Sequence, residues 1–146
     1  MHNATAATLL LDDGSAFPGV IFGATPSDAI AGDLTFTTDM FGYQKQLTDP
    51  ARAGQILVFA APQVGNVGWN AEDSATPDGA VTVTAVVVRD LSRTVSNFRA
   101  ERSLEEELQA QGITGLAGVD TRKLVRHLAA AGGSMRGQVI VEKQTA

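Results

Sequence analysis

A run of β-branched residues near the middle of the chain limits its possible folds more than any other feature. Between Ala80 and Val88, seven residues are valine or threonine, and such side chains favour a strand that packs on a buried surface. A second run, from Gln55 to Ala61, is apolar without alternation, which is typical of a fully buried strand. We therefore predict that buried strands form the centre of the fold.

Shorter strand signals lie on both sides of these runs. We predict strands over Thr8–Leu11, Ala16–Phe22, Leu34–Thr37, Ile113–Val119 and Val139–Val141. Asp12–Ser15 has the Asp-Gly chemistry of a hairpin turn. Pro18 places the second strand at a sheet edge or a bulge.

Two helix signals occur late in the chain. Ser103 has capping-box spacing to Glu106, and Gly112 is suited to end that helix. Asp120 is suited to cap a second helix, from Thr121 to about residue 131. The order of strands and helices predicts a mixed α/β domain in which the late helices cover a sheet.

Composition excludes several classes of function. The 146 residues fit one globular domain, and the net charge of −5 argues against nucleic acid as a partner. The absence of cysteine excludes disulfides, thiolate metal sites and cysteine nucleophiles. Without a membrane-length apolar run or a secretory signal, we expect no membrane partner and a cytoplasmic protein. Nine of the eleven basic residues lie after residue 73, so a basic patch would belong to the second half.

The chain lacks the common catalytic motifs, and its candidate sites have simpler structural interpretations. Gly65–Gly68 fits an anion-binding nest, but a tight turn is the more common structure for this pattern. His127 has no acid or nucleophile beside it in the sequence, which favours a half-buried or interface residue. Asp120–Lys123 fits either an anion site or a capped helix with a solvated basic face, and we favour the capped helix. We expect no metal site.

Five short motifs in a fixed order resemble one known family. They read G-Y-Q, T-D-P, G-N-x-G, S-N-F-R and D-T-R-x-L, and they occupy Gly42–Gln44, Thr48–Pro50, Gly65–Gly68, Ser96–Arg99 and Asp120–Leu124. Together with flanking segments they resemble the N-terminal domain of the small subunit of glutamine-dependent carbamoyl phosphate synthetase. The resemblance covers about residues 8–141.

The resemblance implies a fold and a role. The family domain is a three-layer β/β/α swivelling domain, and we expect a single such domain over residues 1–146, with an ordered core over about 8–141. The amidotransferase domain, which carries the catalytic residues for glutamine hydrolysis, is expected to be absent from this chain. The implied partners are the large synthetase subunit, the amidotransferase domain and, indirectly, glutamine. No cofactor is expected here, since ATP and a divalent metal ion belong to the large subunit.

The resemblance also marks interface and structural positions but no catalytic residue. These positions are Gly42, Tyr43, Gln44, Asp49, Pro50, Gly65, Asn66, Gly68, Asn97, Arg99, Asp120 and Arg122. Ala51 stands where the family carries a serine that contacts glutamine. Alanine cannot make a side-chain hydrogen bond, so this contact is in doubt.

Two other functions compete with a docking domain of the synthetase. The first is a stand-alone adaptor or regulatory paralogue that has lost contact with glutamine. The second is an enzyme that holds an anionic substrate with the arginines of the second half, which requires a cavity lined by Arg89, Arg99, Arg122 or Arg126.

Overall fold

The computed structural model of the chain describes residues 5–38, 43–61, 63–64, 80–91 and 104–142. Three helices lie in these ranges: α1 (Tyr43–Leu47), α2 (Leu104–Gln111) and α3 (Thr121–Ala130). A short 3₁₀ helix covers Pro50–Arg52. The strands are β1 (Ala6–Leu11), β2 (Ala16–Gly23), β3 (Ile30–Thr37), β4 (Ile56–Phe59), β5 (Gln63–Val64), β6 (Ala85–Val87), β7 (Asp90–Leu91), β8 (Thr114–Ala117) and β9 (Met135–Val141).

Seven of these strands form a closed barrel in the order β1-β2-β8-β6-β4-β3-β9. The prediction of a mixed α/β fold with two main helices late in the chain is confirmed, but the three-layer β/β/α arrangement is wrong. The physical reason is β9, which pairs antiparallel with β1 on one side and with β3 on the other. This double pairing removes the two free edges that a layered sheet would have. The short strands β5 and β7 pair parallel to each other in a separate sheet.

Strand direction divides the barrel into two parts. Neighbours β3, β4, β6 and β8 run parallel, whereas β8, β2, β1, β9 and β3 pair antiparallel in turn. The chain leaves each parallel strand at the same end of the barrel, so the segments that follow β4, β6 and β8 lie there together.

The predicted hairpin is present, and Pro18 lies where its missing N–H is tolerated. Gly14 has a φ of 90° in the turn, and the amide N–H of Leu11 donates to the carbonyl oxygen of Ser15 at 2.8 Å. β2 pairs with β1 from Ala16 onward but with β8 only from Val20. Pro18 therefore has a strand neighbour on one side only, as predicted for an edge position.

The strongest strand signal gives a shorter strand than its composition predicts. Only Ala85–Val87 of the run from Ala80 to Val88 is strand. The amide N–H of Val81 donates to the side-chain oxygen of Gln111 at 2.7 Å, and that of Thr82 donates to the carbonyl of Leu47 at 2.9 Å. Because helix and turn groups take these hydrogen bonds, the ladder starts later. β3, by contrast, begins at Ile30, four residues earlier than predicted.

Two hydrophobic clusters lie on opposite faces of β4 and β6. The first draws on all seven barrel strands and on α3, and it therefore fills the barrel interior; its buried members are Ala7, Leu9, Leu11, Phe17, Leu34, Ile56, Val58, Ala85, Val87, Leu116, Val119, Leu124, Leu128 and Val139. The second contains Leu57 and Phe59 of β4 with Leu104 and Leu108 of α2. Successive residues of β4 enter different clusters, which explains why its sequence is apolar without alternation and confirms the predicted buried strand.

Both late helices end as predicted. Gly112 follows α2 with a φ of 72°, and Gly132 and Gly133 follow α3 with φ values of 98° and 104°. The Asp120 carboxylate accepts the N–H of Lys123 at 3.2 Å, so Asp120 caps α3. Ser103, the predicted cap of α2, lies outside the described residues.

Candidate functional site

Two predicted site residues, Tyr43 and Gln44, lie in the buried face of α1. Tyr43 is 5 % exposed and packs in the second cluster, and Gln44 is 4 % exposed. The carbonyl oxygen of Gln44 accepts the Thr48 hydroxyl at 2.8 Å and the Thr48 N–H at 3.1 Å. These contacts end α1 and fix the direction in which the chain enters the next turn.

Three predicted site residues, Asp49, Pro50 and Ala51, form this turn. The Asp49 side chain accepts the Ala51 N–H at 2.9 Å and caps the 3₁₀ helix that begins at Pro50. Proline suits this first position because it lacks a backbone N–H, and an N–H there would have no partner within the helix. Ala51 is exposed. A partner can therefore reach position 51 from outside the domain, although its methyl group offers no hydrogen bond.

A threonine from a distant segment holds the turn in place. The hydroxyl of Thr82 donates to the carbonyl oxygen of Asp49 at 2.5 Å, and the Gly54 N–H donates to the Thr82 carbonyl at 3.1 Å. The turn is thus tied to the segment that leads into β6. Ala51 therefore projects from a fixed backbone, which favours a contact of defined geometry.

The side chain of Arg52, which follows Ala51 in the sequence, forms hydrogen bonds within the domain. Its Nε donates to Gln46 Oε1 at 2.8 Å and its Nη1 to Thr35 Oγ1 at 3.3 Å. Thr35 in turn donates its hydroxyl to Gln55 Oε1 at 2.8 Å. This network stabilises the junction between α1, β3 and β4.

The other predicted site residues that the structure describes, Asp120 and Arg122, lie at the opposite end of β4. Ala51 precedes this strand, whereas Ala60 follows it and lines a cavity of about 410 Å³ beside α3. Four strand residues span about 13 Å. The predicted set is therefore split into two surfaces.

The cavity has arginines in its wall, as the hypothesis of an enzyme with an anionic substrate requires. Among the described residues its wall includes Arg89, Arg122 and Arg126. These are three of the four arginines that we named for an enzyme with an anionic substrate. The fourth, Arg99, lies outside the described residues, as do five other predicted positions: Gly42, Gly65, Asn66, Gly68 and Asn97.

Sequence reasoning missed the partners of His127. Its Nε2 lies 2.5 Å from Asp13 Oδ2 and 3.4 Å from the Ser15 hydroxyl. Both contacts use the same ring nitrogen, whereas a Ser-His-Asp relay needs the two nitrogens to face different partners. The group therefore joins the β1–β2 turn to α3 rather than forming a nucleophile. No local sequence signal links residues so far apart in the chain.

The charge of Asp13 is stabilised in this group. The Ser15 N–H donates to Asp13 Oδ1 at 2.9 Å, and this bond, with a smaller contribution from His127, lowers the pKa of Asp13 below its ordinary 3.8. A carboxylate that accepts hydrogen bonds holds its proton less tightly, since the bonds favour the charged form.

Two further observations concern membrane-spanning helices and metal-binding groups among the described residues. Within those ranges no helix is both long enough and apolar enough to cross a membrane. The same residues contain no group of three or more histidine, aspartate or glutamate side chains arranged to hold a metal ion.

Comparison with known proteins gives one consistent family. A family model described as the carbamoyl-phosphate synthase small chain, CPSase domain, matches residues 9–139. A carbamoyl phosphate synthase small chain from Corynebacterium diphtheriae is 50% identical over 127 residues, which are 87% of this chain and 33% of the relative. The Mycobacterium tuberculosis small chain is 48% identical over 131 residues, 90% of this chain and 34% of the relative.

The chain thus spans about a third of the length of the curated relatives it matches. The family model covers most of the chain, including five of the seven barrel strands in full, parts of β1 and β9, and both late helices. The chain therefore belongs to the family of the carbamoyl-phosphate synthase small chain, CPSase domain.

Proposed function

We propose that this chain is the non-catalytic N-terminal domain of a carbamoyl phosphate synthase small subunit. The family match over residues 9–139 carries the proposal. In this role the domain docks the large subunit and supports glutamine hydrolysis and ammonia transfer for arginine and pyrimidine synthesis in the cytoplasm. The amidotransferase chemistry belongs to a part of the small subunit outside residues 1–146, and ATP and a divalent metal ion bind the large subunit.

The turn at Asp49–Ala51 supports this role. Ala51, an exposed residue of this turn, stands at the position where the family resemblance implies a glutamine contact, and the hydrogen bonds of Thr82 hold the backbone of the turn. A docking domain needs such a preorganised surface, because a mobile turn would lose conformational entropy on each encounter. The closed barrel supplies a rigid support.

A hybrid enzyme tests the proposal. Residues 1–146 replace the matching third of the Mycobacterium tuberculosis small chain, and the hybrid is combined with the large chain from the same organism. We expect a stable complex in gel filtration and glutamine-dependent carbamoyl phosphate synthesis. A folded hybrid that never associates with the large chain, and leaves only ammonia-dependent synthesis, contradicts the docking role.

The alanine at position 51 favours a second candidate, a stand-alone adaptor or regulatory paralogue. Without a side-chain hydroxyl at this position, the domain contributes one hydrogen bond fewer to glutamine. The adaptor predicts that the hybrid binds the large chain but does not respond to glutamine. Measuring association and glutamine turnover on the same preparation therefore separates the two candidates.

A further inference from the structure

The cavity beside α3 has the size and position of a small-molecule site. Its volume of about 410 Å³ falls within the range of roughly 300–1,000 Å³ that is common for ligand pockets. It lies where the chain leaves the parallel strands β4 and β6, and ligands commonly bind beyond the carboxyl ends of parallel strands. Its described wall consists of Ala60, Arg89, Thr121, Arg122, Val125 and Arg126.

Three guanidinium groups around one cavity carry positive charge that the described residues do not balance. Neither a side-chain hydrogen bond nor an ion pair joins the guanidinium groups of Arg89, Arg122 and Arg126 to any of those residues. By contrast, Arg52 is hydrogen-bonded and Arg136 lies 3.6 Å from Asp33. The arginines at the cavity therefore differ from those elsewhere in the described structure.

The three arginines are exposed and bring like charges to one cavity from two elements. Arg122 and Arg126 lie four residues apart on α3, and like charges at this spacing repel each other on one helix face. Arg89 approaches from the segment after β6, so positive charge enters from a second element. An anion in the cavity would relieve this repulsion and satisfy several guanidinium donors at once.

Asp120, an acidic residue beside the cavity, caps α3. Asp120 lines a neighbouring cavity of about 360 Å³ with Arg122, Lys123 and Arg126. Its carboxylate accepts the Lys123 N–H at the start of α3. The described wall of the larger cavity contains no aspartate or glutamate, so an anion there meets guanidinium groups and no carboxylate from that wall.

We propose that this cavity binds the phosphate monoester of a small organic molecule. Arginine forks match the oxygens of phosphate in charge and geometry, and three of them suit a dianion better than a single carboxylate. Ala60 and Val125 provide an apolar wall for the organic part of the ligand. This site is independent of the glutamine-facing turn, which lies at the other end of β4.

Calorimetric titration of the full chain with inorganic phosphate and phenyl phosphate, at constant ionic strength set with chloride, tests the site. We expect both probes to bind, with phenyl phosphate several-fold tighter because its ring can pack on the apolar wall. Arg89→Gln and Arg122→Gln should each weaken phenyl phosphate by about tenfold, as expected for the loss of a hydrogen bond to a charged group.

Matched controls separate the site from general charge. Arg136→Gln removes the same charge outside the cavity wall and should change the affinity by less than twofold. Arg122→Lys retains the charge but not the fork, and should recover part of the affinity. Thermal unfolding without ligand confirms that each variant folds.

Three results would overturn the proposal. The first is phenyl phosphate binding that the cavity variants leave unchanged. The second is an effect of phosphate that chloride reproduces at equal ionic strength. The third is binding of a hexaglutamate peptide through the same arginines without binding of phenyl phosphate, which would make the surface a docking site for protein carboxylates.

Discussion

At the scale of single residues, Ala51 is exposed and its turn is held by hydrogen bonds of Asp49 and Thr82. In the hybrid enzyme, Ala51→Ser should lower the KM for glutamine about three- to tenfold, because one added hydrogen bond contributes roughly 0.5–1.5 kcal/mol. Ammonia-dependent synthesis should stay unchanged, since that route bypasses the glutamine site. Steady-state kinetics with both nitrogen donors measure the effect.

Ala53→Ser is the matched control for this prediction. Ala53 is exposed in the same turn, so its replacement adds a hydroxyl at a neighbouring position. An equal gain from both variants would show that the hydroxyl acts through the turn rather than through glutamine. No gain from Ala51→Ser in an active hybrid would mean that position 51 does not contact glutamine.

The hydrogen bonds of the Asp13 carboxylate with Ser15 and His127 predict a dependence of stability on pH. The pKa of Asp13 is lowered in the folded chain, so its contribution is present above the ordinary value of 3.8 and is lost as the pH falls through the lower, folded value. Asp13→Asn should therefore lower the denaturation midpoint at pH 7, and the difference from the wild type should shrink at pH 2–3. Urea denaturation at both pH values measures it.

Asp12→Asn serves as the control, because it removes the same charge from the same turn. The Asp12 carboxylate has no hydrogen bond to the residues that the structure describes. The prediction fails if both variants lose the same stability at pH 7, which would mean that the net charge of the turn, rather than the hydrogen bonds of Asp13 with Ser15 and His127, is responsible.

At the scale of elements, Asp120 caps α3, the helix that contributes Arg122 and Arg126 to the cavity wall. Asp120→Ala should lower the free energy of unfolding by about 1 kcal/mol, since the N–H of Lys123 loses its acceptor. Asp120→Asn, which retains an acceptor oxygen, should lose less. Chemical denaturation compares the two, and equal losses would indicate that charge rather than capping matters.

The pairing of β2 with β8 leaves no room for a side chain at Gly115. This residue lies opposite Phe22 in the register, and a Cβ atom at position 115 would overlap the Phe22 ring. Gly115→Ala should therefore destabilise the chain by about 1–3 kcal/mol. Combined with Phe22→Leu, the loss should be smaller than the sum of the two single losses. Additive losses in thermal unfolding would contradict this contact.

The sequence predicts elements better than it predicts their partners. The predictions of the cap at Asp120, of the helix end at Gly112 and of the hairpin turn are confirmed. Short-range hydrogen bonds and backbone preferences determine all three. Barrel closure was missed because it depends on β9 pairing with both β1 and β3, and side-chain alternation does not identify a neighbour. The predicted strand that contains β6 begins too early, because the Gln111 side chain and the Leu47 carbonyl accept the N–H groups of Val81 and Thr82.

The same distinction applies to the candidate sites. The family motifs led to Asp49, Ala51, Asp120 and Arg122, but they gave no sign that β4 separates these residues into two surfaces. The arginine cavity needs Arg89 and α3 to meet across more than thirty residues of sequence. Only the fold brings such groups together.

At the scale of the whole molecule, β1 and β9 are neighbours in the barrel. The N–H of Glu142 donates to the carbonyl oxygen of Ala6 at 3.0 Å, which places the first and last barrel strands side by side. A short linker from Glu142 to Ala6 should therefore permit circular permutation, with new termini opened at Gly132-Gly133. Such a permutant should keep the barrel and its circular dichroism spectrum, whereas opening the chain within β4 should abolish folding. Folding of the barrel should therefore not depend on which strand comes first in the chain. Unbroken strands should matter more than their order along the polypeptide.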